Sequence, residues 1–294
     1  GVKKLFADKE LEKWLADRGF QFSSANSINV GRLVPQIVYY VYAYARLLRE
    51  ERIKDGDKIN VCVPTGNFGN ILAAYYARGM GLPIARLICA SNENKVLFDF
   101  FRTGTYDRNR EFILTSSPSM DILISSNLER LIYHVCGDDP DKCRSLMEQL
   151  SATGRYDVTA DMRAKLDMFE GGYCSEQETL DVIRRIYDSC GYLIDTHTAV
   201  AAGVYASYRS QSGDHTPTVI ASTASPYKFT GSVLRAIDPG YQSDDDFDKA
   251  DRLCEISGVP IPAAVSGIRN AMIRHKTICE IDEMESVVKG FLEA

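Results

Sequence analysis

The junction at residues 59–80 restricts the fold more than any other part of the chain. Ile59 to Val63 (INVCV) is a short, apolar, β-branched run of the kind buried on both faces of a parallel sheet. It runs directly into Pro64-Thr65-Gly66-Asn67-Phe68-Gly69-Asn70. A helix-forming segment, Ile71 to Met80, follows and stops at Gly81-Leu82-Pro83. A second apolar run, Ile84 to Ala90, comes next. After it stand a polar loop from Ser91 to Asn94, a helix from about Lys95 to Arg102, and a third candidate strand, Glu111 to Leu114. Strands that alternate with helices at this spacing must be joined by crossovers, which makes them parallel. The expected fold class is α/β, doubly wound, with a mostly parallel sheet.

The flanks fit around that core. Residues 1–22 read as a helix with an apolar tail, and Ser23 to Arg32 as a polar loop. A long helix spans 33–51, with Pro35 in its first turn. Residues 119–190 read as a helical insertion; Pro140 opens one helix, and Ser175 with Glu178 has capping-box spacing. Strands return at Tyr192 to Ile194 and Thr218 to Ala221, with a helix from about Ala199 between them. A helix-rich segment follows Pro226, and Asp244-Asp245-Asp246 reads as a solvated acidic turn. This divides the chain into residues 1–32, the end of a smaller domain with its connecting loop, and residues 33–294, a large α/β domain.

Charge and cysteine usage narrow the function. With 34 Lys and Arg against 40 Asp and Glu, the net charge is −6, and no long basic run exists for nucleic acid or a membrane surface. The densest apolar stretch, Ile37 to Leu48, is broken by Arg46, short of a membrane helix. The N-terminal stretch reads as an amphipathic helix entered midway, either a short helix behind a tag remnant or a piece of a longer protein, and not as a secretory leader. The eight cysteines include no C-x-x-C pair and read as reduced, mostly buried cytoplasmic thiols. The four histidines form no H-x-x-x-H or H-E-x-x-H, so no metal site is expected.

Four segments carry chemistry. A glycine-bearing loop between a parallel strand and a helix start offers backbone N–H groups and the positive end of the helix dipole, a phosphate site. Gly66, Asn67, Phe68, Gly69 and Asn70 fit that description; an ordinary βα turn would use the same residues for geometry alone. The loop is neither G-x-G-x-x-G nor G-x-x-x-x-G-K-[ST], which disfavours a dinucleotide or a nucleoside triphosphate. Ser24-Ala25-Asn26-Ser27-Ile28-Asn29-Val30-Gly31-Arg32 suits an anion held by several hydrogen bonds, or a capped loop. Ser222-Thr223-Ala224-Ser225-Pro226-Tyr227-Lys228-Phe229 follows a strand, where open α/β sheets place ligands. Asp195-Thr196-His197-Thr198-Ala199 holds the best-placed histidine, which a capping or packing role would also explain.

In this order the segments resemble threonine synthase, a pyridoxal-phosphate enzyme of the tryptophan-synthase-β-like group. L-x-x-S-A-N-S-I-N-x-x-R-L is approached by Phe22 to Leu33. V-P-[TS]-G-N-F-G-[ND] is met at Val63 to Asn70, G-L-P-[IV] at Gly81 to Ile84, and A-[TS]-N-x-N at Ala90 to Asn94. D-P-H-[TA]-A is met at Asp195 to Ala199 with Thr196 replacing proline, and T-A-H-P-x-K-F at Thr223 to Phe229 with Ser225 replacing histidine. The likeness runs from about Leu5 to about Phe229 and weakens beyond.

The resemblance implies roles. Gly66 to Asn70 would hold the phosphate of pyridoxal 5'-phosphate, and Thr223 would face its pyridine nitrogen. Asn26, Ser27, Arg32 and Asn70 would bind the phosphate of O-phosphohomoserine, which the family converts with water to L-threonine and phosphate. The family carries its cofactor on a lysine within F-K-D, upstream of S-A-N-S-I-N. No F-K-D occurs here; only Lys3, Lys4, Lys9 and Lys13 precede Asn26. The chain therefore reads as the C-terminal part of a threonine synthase, inactive by itself, with no catalytic lysine to name. Two alternatives are a non-catalytic phosphate-ligand-binding domain and another lyase of the group, such as a threonine dehydratase; the S-A-N-S-I-N segment disfavours the latter, because it has no second phosphate to bind.

Overall fold

The structure, a computed structural model, describes residues 1–293. Its strands are β1 (Ile59–Pro64), β2 (Ile84–Ser91), β3 (Thr105–Asp107), β4 (Arg155–Asp157), β5 (Phe169–Tyr173) and β6 (Thr218–Ile220). Four of them form one sheet in the order β5-β2-β1-β6, with every pair parallel. β3 and β4 form a separate antiparallel ribbon in which Tyr106 faces Tyr156, their rings stacked at 5.3 Å.

β1 is buried along its whole length, which is why its sequence shows no polar alternation. Val61 and Val63 pack with Ala73, Ala74 and Ala77 of the helix Gly69–Gly79 on one face. Cys62 packs with Val200, Ala201 and Val204 of the helix Thr196–Ser212 on the other. Helices therefore cover both faces, as the strand and helix alternation predicts. The one polar side chain within β1, Asn60, is satisfied: it donates to Asp214 Oδ2 at 2.8 Å and accepts from the Arg86 N–H at 3.1 Å.

Two compact units are present. Residues 27–266 hold the sheet and its covering helices. Residues 1–26 group with 267–294. In that smaller unit the N-terminal helix is two helices, Val2–Ala7 and Lys9–Ala16. Asp8 separates them and caps the second by accepting from the Glu10 and Leu11 N–H groups.

The structure corrects three local expectations. Glu111 to Leu114 is not a strand: the Asn94 side-chain amide accepts from Ile113 N–H at 3.0 Å and donates to Ile113 O at 2.7 Å, taking the place of a strand neighbour. Tyr192 to Ile194 is not a strand either; Leu193 and Ile194 are buried among helices and lead into the N-cap Asp195. Residues 119–190 are not helical throughout, for they contain β4 and β5 between the helices Leu128–Val135, Pro140–Thr153, Ala160–Lys165 and Glu176–Cys190. The capping box at Ser175 and Glu178 is present. Asp245, expected as part of a solvated turn, is the N-cap of the helix Asp246–Ser257.

Candidate functional site

At the carboxyl ends of β1 and β6 a cleft of about 900 Å³ opens within the larger unit. β1 ends at Pro64, and the chain reverses into the helix Gly69–Gly79, whose first residues, Gly69 and Asn70, carry N–H groups without intrahelical partners. Phe68 makes this turn with a left-handed φ of +65°, a conformation that costs a non-glycine residue roughly 1–2 kcal/mol. Its ring is buried and stacks on Phe101 at 6.0 Å and against Phe169 at 5.9 Å, contacts that offset the strain. Gly66 is required by its neighbour: a Cβ there would lie 2.4 Å from the Ser119 carbonyl oxygen.

Hydrogen bonds fix this loop from behind. Ser125 Oγ donates to Gly66 O at 2.7 Å. The Asn127 N–H and Nδ2 donate to Asn67 O at 3.1 and 2.9 Å. The Tyr40 hydroxyl donates to Asn70 Oδ1, and to Asn70 O at 3.2 Å. Burial pushes the Tyr40 hydroxyl far up, so it remains a protonated donor.

The opposite wall is built from β6 and the helix Thr196–Ser212. Thr223 follows β6 and lines the cleft together with Ser222 and Lys228. Asp195, fully buried, caps the helix by accepting from the His197 and Thr198 N–H groups, and its Oδ1 lies 3.2 Å from His197 Nδ1. Burial pushes the Asp195 carboxyl up, but hydrogen bonds from His197 and Thr198 outweigh it and hold the group below the ordinary carboxylate range. On the other side of the ring the Ser119 N–H donates to His197 Nε2 at 3.2 Å. That network assigns the proton to Nδ1 and leaves Nε2 an acceptor.

The sequence-selected residues Gly66, Asn67, Phe68, Gly69, Asn70, Thr223, Ser27 and Arg32 all line this one cleft. Asn26 falls in the other compact unit. Arg32 and Lys228 bring positive charge to the lining, and among the described residues no carboxylate belongs to it. Ser225, where the resembling family has histidine, caps the turn Pro226–Lys228 by accepting from the Tyr227 N–H at 3.3 Å.

Sequence reasoning missed Tyr40, Ser119 and Asn127, and gave His197 no assigned role. Ser119 sits in a loop held by Asp121, whose carboxylate accepts from Asn92 and Asn94 Nδ2 at 2.7 and 3.0 Å and from the Thr115 N–H at 3.0 Å. The polar pair Asn92 and Asn94 was visible as a motif. That it holds a cleft wall was not, because its partners lie 19 to 29 positions away.

The family described as threonine synthase, C-terminal, matches residues 198–283. Threonine synthase-like 1 of Homo sapiens is 43% identical over 239 residues, covering 80% of this chain and 32% of that protein. Threonine synthase of Saccharomyces cerevisiae is 37% identical over 254 residues, covering 80% of this chain and 47% of the relative. The crystal structure of yeast threonine synthase superposes with a TM-score of 0.81 at 30% identity, over 99% of this chain and 56% of that one. A PLP-bound threonine synthase from Brucella melitensis gives a TM-score of 0.77 at 32% identity, over 100% of this chain and 57% of that one. The chain thus spans about a third to just over half of the length of these relatives.

Proposed function

Because the chain is homologous to the threonine synthases and shares their tryptophan-synthase-β-like fold, we propose that its cleft is the cofactor and substrate site of a pyridoxal-phosphate-dependent lyase. The substrate is O-phosphohomoserine, and the products are L-threonine and phosphate. One observation carries this reading: two segments suited to anions, 27–32 and 66–70, line a single cleft to which, among the described residues, arginine and lysine contribute and carboxylates do not.

The residues fit pyridoxal 5'-phosphate. Gly66 to Asn70 supply N–H groups at a helix start for its phosphate. Thr223, which lines the cleft, would offer a neutral hydroxyl to the pyridine nitrogen, so the ring would not need to be held fully protonated. When bound, the cofactor supplies an electron-withdrawing ring that stabilises carbanions beside the substrate nitrogen. The chain's own groups do the rest. Ser27 and Arg32 bind the substrate phosphate, and Arg32 stabilises its charge as it leaves. Asn70, held by the Tyr40 hydroxyl, would serve both phosphates. His197, fixed by Asp195 and the Ser119 N–H, keeps the cleft wall in place.

The family's anchoring lysine has no counterpart among these residues. Lys9 and Lys13 pair with Glu12 and Asp17 on the helix Lys9–Ala16, and no F-K-D occurs. Residues 1–294 alone are therefore expected to bind pyridoxal 5'-phosphate and O-phosphohomoserine reversibly, with no threonine formed and no absorbance band of a lysine-bound cofactor. Threonine release by this chain would overturn the part of the reading that concerns the lysine. Failure to bind either compound would overturn the whole.

A second reading has its own support. Identity to threonine synthase-like 1 exceeds identity to yeast threonine synthase, and Thr196 and Ser225 depart from the threonine synthase pattern. A site that binds both ligands without making threonine would fit those facts. A chimera with a threonine synthase F-K-D segment placed ahead of residue 1 separates the two: turnover favours the first, binding without turnover the second.

A further inference from the structure

The two anion-holding segments are distant in the chain, yet one side chain touches both. Asn127 is fully buried. Its Nδ2 donates to Ser27 O and to Asn67 O, each at 2.9 Å, and its backbone N–H donates to Asn67 O at 3.1 Å. Its Oδ1 accepts from one guanidinium nitrogen of Arg130, and the other donates to Ile28 O at 2.8 Å. Every polar atom of the amide is occupied.

The position makes this unusual. Asn127 is the N-cap residue of the helix Leu128–Val135, where an asparagine ordinarily accepts from the helix's first N–H groups, and it makes no such bond. Its amide is turned instead onto the cleft segments. A peptide group is planar with C=O and N–H opposed, so holding Ser27 O and Asn67 O toward one amide turns the Ile28 and Phe68 N–H groups away from it. A single group therefore sets both the spacing of the two segments and the direction of two of their donors. Gly69 packs on the same amide, where a Cβ would lie 3.4 Å from Asn127 Nδ2.

We propose that Asn127, oriented by Arg130, is a positioning residue that couples the two halves of the site, so that an anion bound by 66–70 preorganises 27–32 and the reverse. The inference rests on the two-anion reading of the cleft. Coupling of this kind is reciprocal, and each ligand raises the affinity of the other by the same factor.

The full chain is titrated with pyridoxamine 5'-phosphate, which has no aldehyde to react with amines, and with O-phosphohomoserine, each alone and in the presence of the other. Wild type should show mutual tightening of about tenfold, within the usual range of such couplings. Asn127→Asp keeps the shape and the Arg130 pairing but aims an acceptor at two carbonyl oxygens. It should weaken both ligands by about tenfold or more and abolish the tightening. Arg130→Gln leaves Asn127 in place, is the milder variant for folding, and should lower the tightening without removing it. A merely structural role would shift melting and leave the coupling factor intact. Wild type that binds both ligands independently overturns the proposal, as does either variant with undiminished coupling. Wild type that binds neither ligand overturns the reading of the site on which the proposal rests.

Discussion

Asp195 carries its carboxylate where water does not reach. Burial opposes its charge, yet the hydrogen bonds from His197 and Thr198 hold its pKa below the unfolded value, which is about 3.9 for aspartate. A depressed carboxylate contributes stability that is fully present above the unfolded pKa and is lost as pH falls through the folded one. Asp195→Asn should therefore melt well below wild type at pH 7, and the gap should narrow once the pH drops under about 4; a gap that stays constant down to pH 3 would contradict this. Arg32 invites a different measurement. Arg32→Ala should weaken O-phosphohomoserine by roughly 1.5–3 kcal/mol, tenfold to a hundredfold, and leave pyridoxal 5'-phosphate nearly unchanged. Equal losses for both ligands would remove its assignment to the substrate phosphate. At this scale Gly66, Asn67, Gly69 and Asn70 were legible because a strand-to-helix turn is a local device with local residue demands. Asn127 and Tyr40 were not, since each works through a partner at least 30 positions away.

Among elements, β5 shows how packing overrides pattern. Phe169 to Tyr173 reads FEGGY, two glycines where a strand would show β-branched residues, and the segment passes for a turn inside helical sequence. The glycines are there because helices approach the backbone closely. A Cβ at Gly171 would lie 3.2 Å from Phe98 Cα, and one at Gly172 only 2.4 Å from Val204 Cγ1. Gly172→Ala should thus cost about 1–3 kcal/mol through overpacking. Val204→Ala should relieve it, so the double variant should be more stable than the two single losses added together, readable by denaturant unfolding. Simple additivity would show that the strand tolerates the methyl by other means. β1 and β2 were legible for the opposite reason: their apolar side chains make the contacts themselves.

For the molecule as a whole, every principal apolar cluster among the described residues lies between residues 27 and 266. A unit with its own core is expected to fold alone. Residues 27–266 expressed by themselves should unfold in one cooperative transition and retain binding of pyridoxal 5'-phosphate; a molten, non-cooperative product would show that the other residues are needed for the core. The sequence alone determined the α/β class, the parallel strands β1 and β2, the loop at 66–70 and the family resemblance. All of these rest on side-chain types at short separations, where spacing dictates geometry. Tertiary structure decided the placement of β5 at the sheet edge, the loss of the strand at 111–114 to the Asn94 amide, and the grouping of 267–294 with 1–26. It also decided that Asn127 joins the two cleft segments. Those outcomes depend on which distant backbone groups come within hydrogen-bonding reach, and short-range spacing carries no record of that.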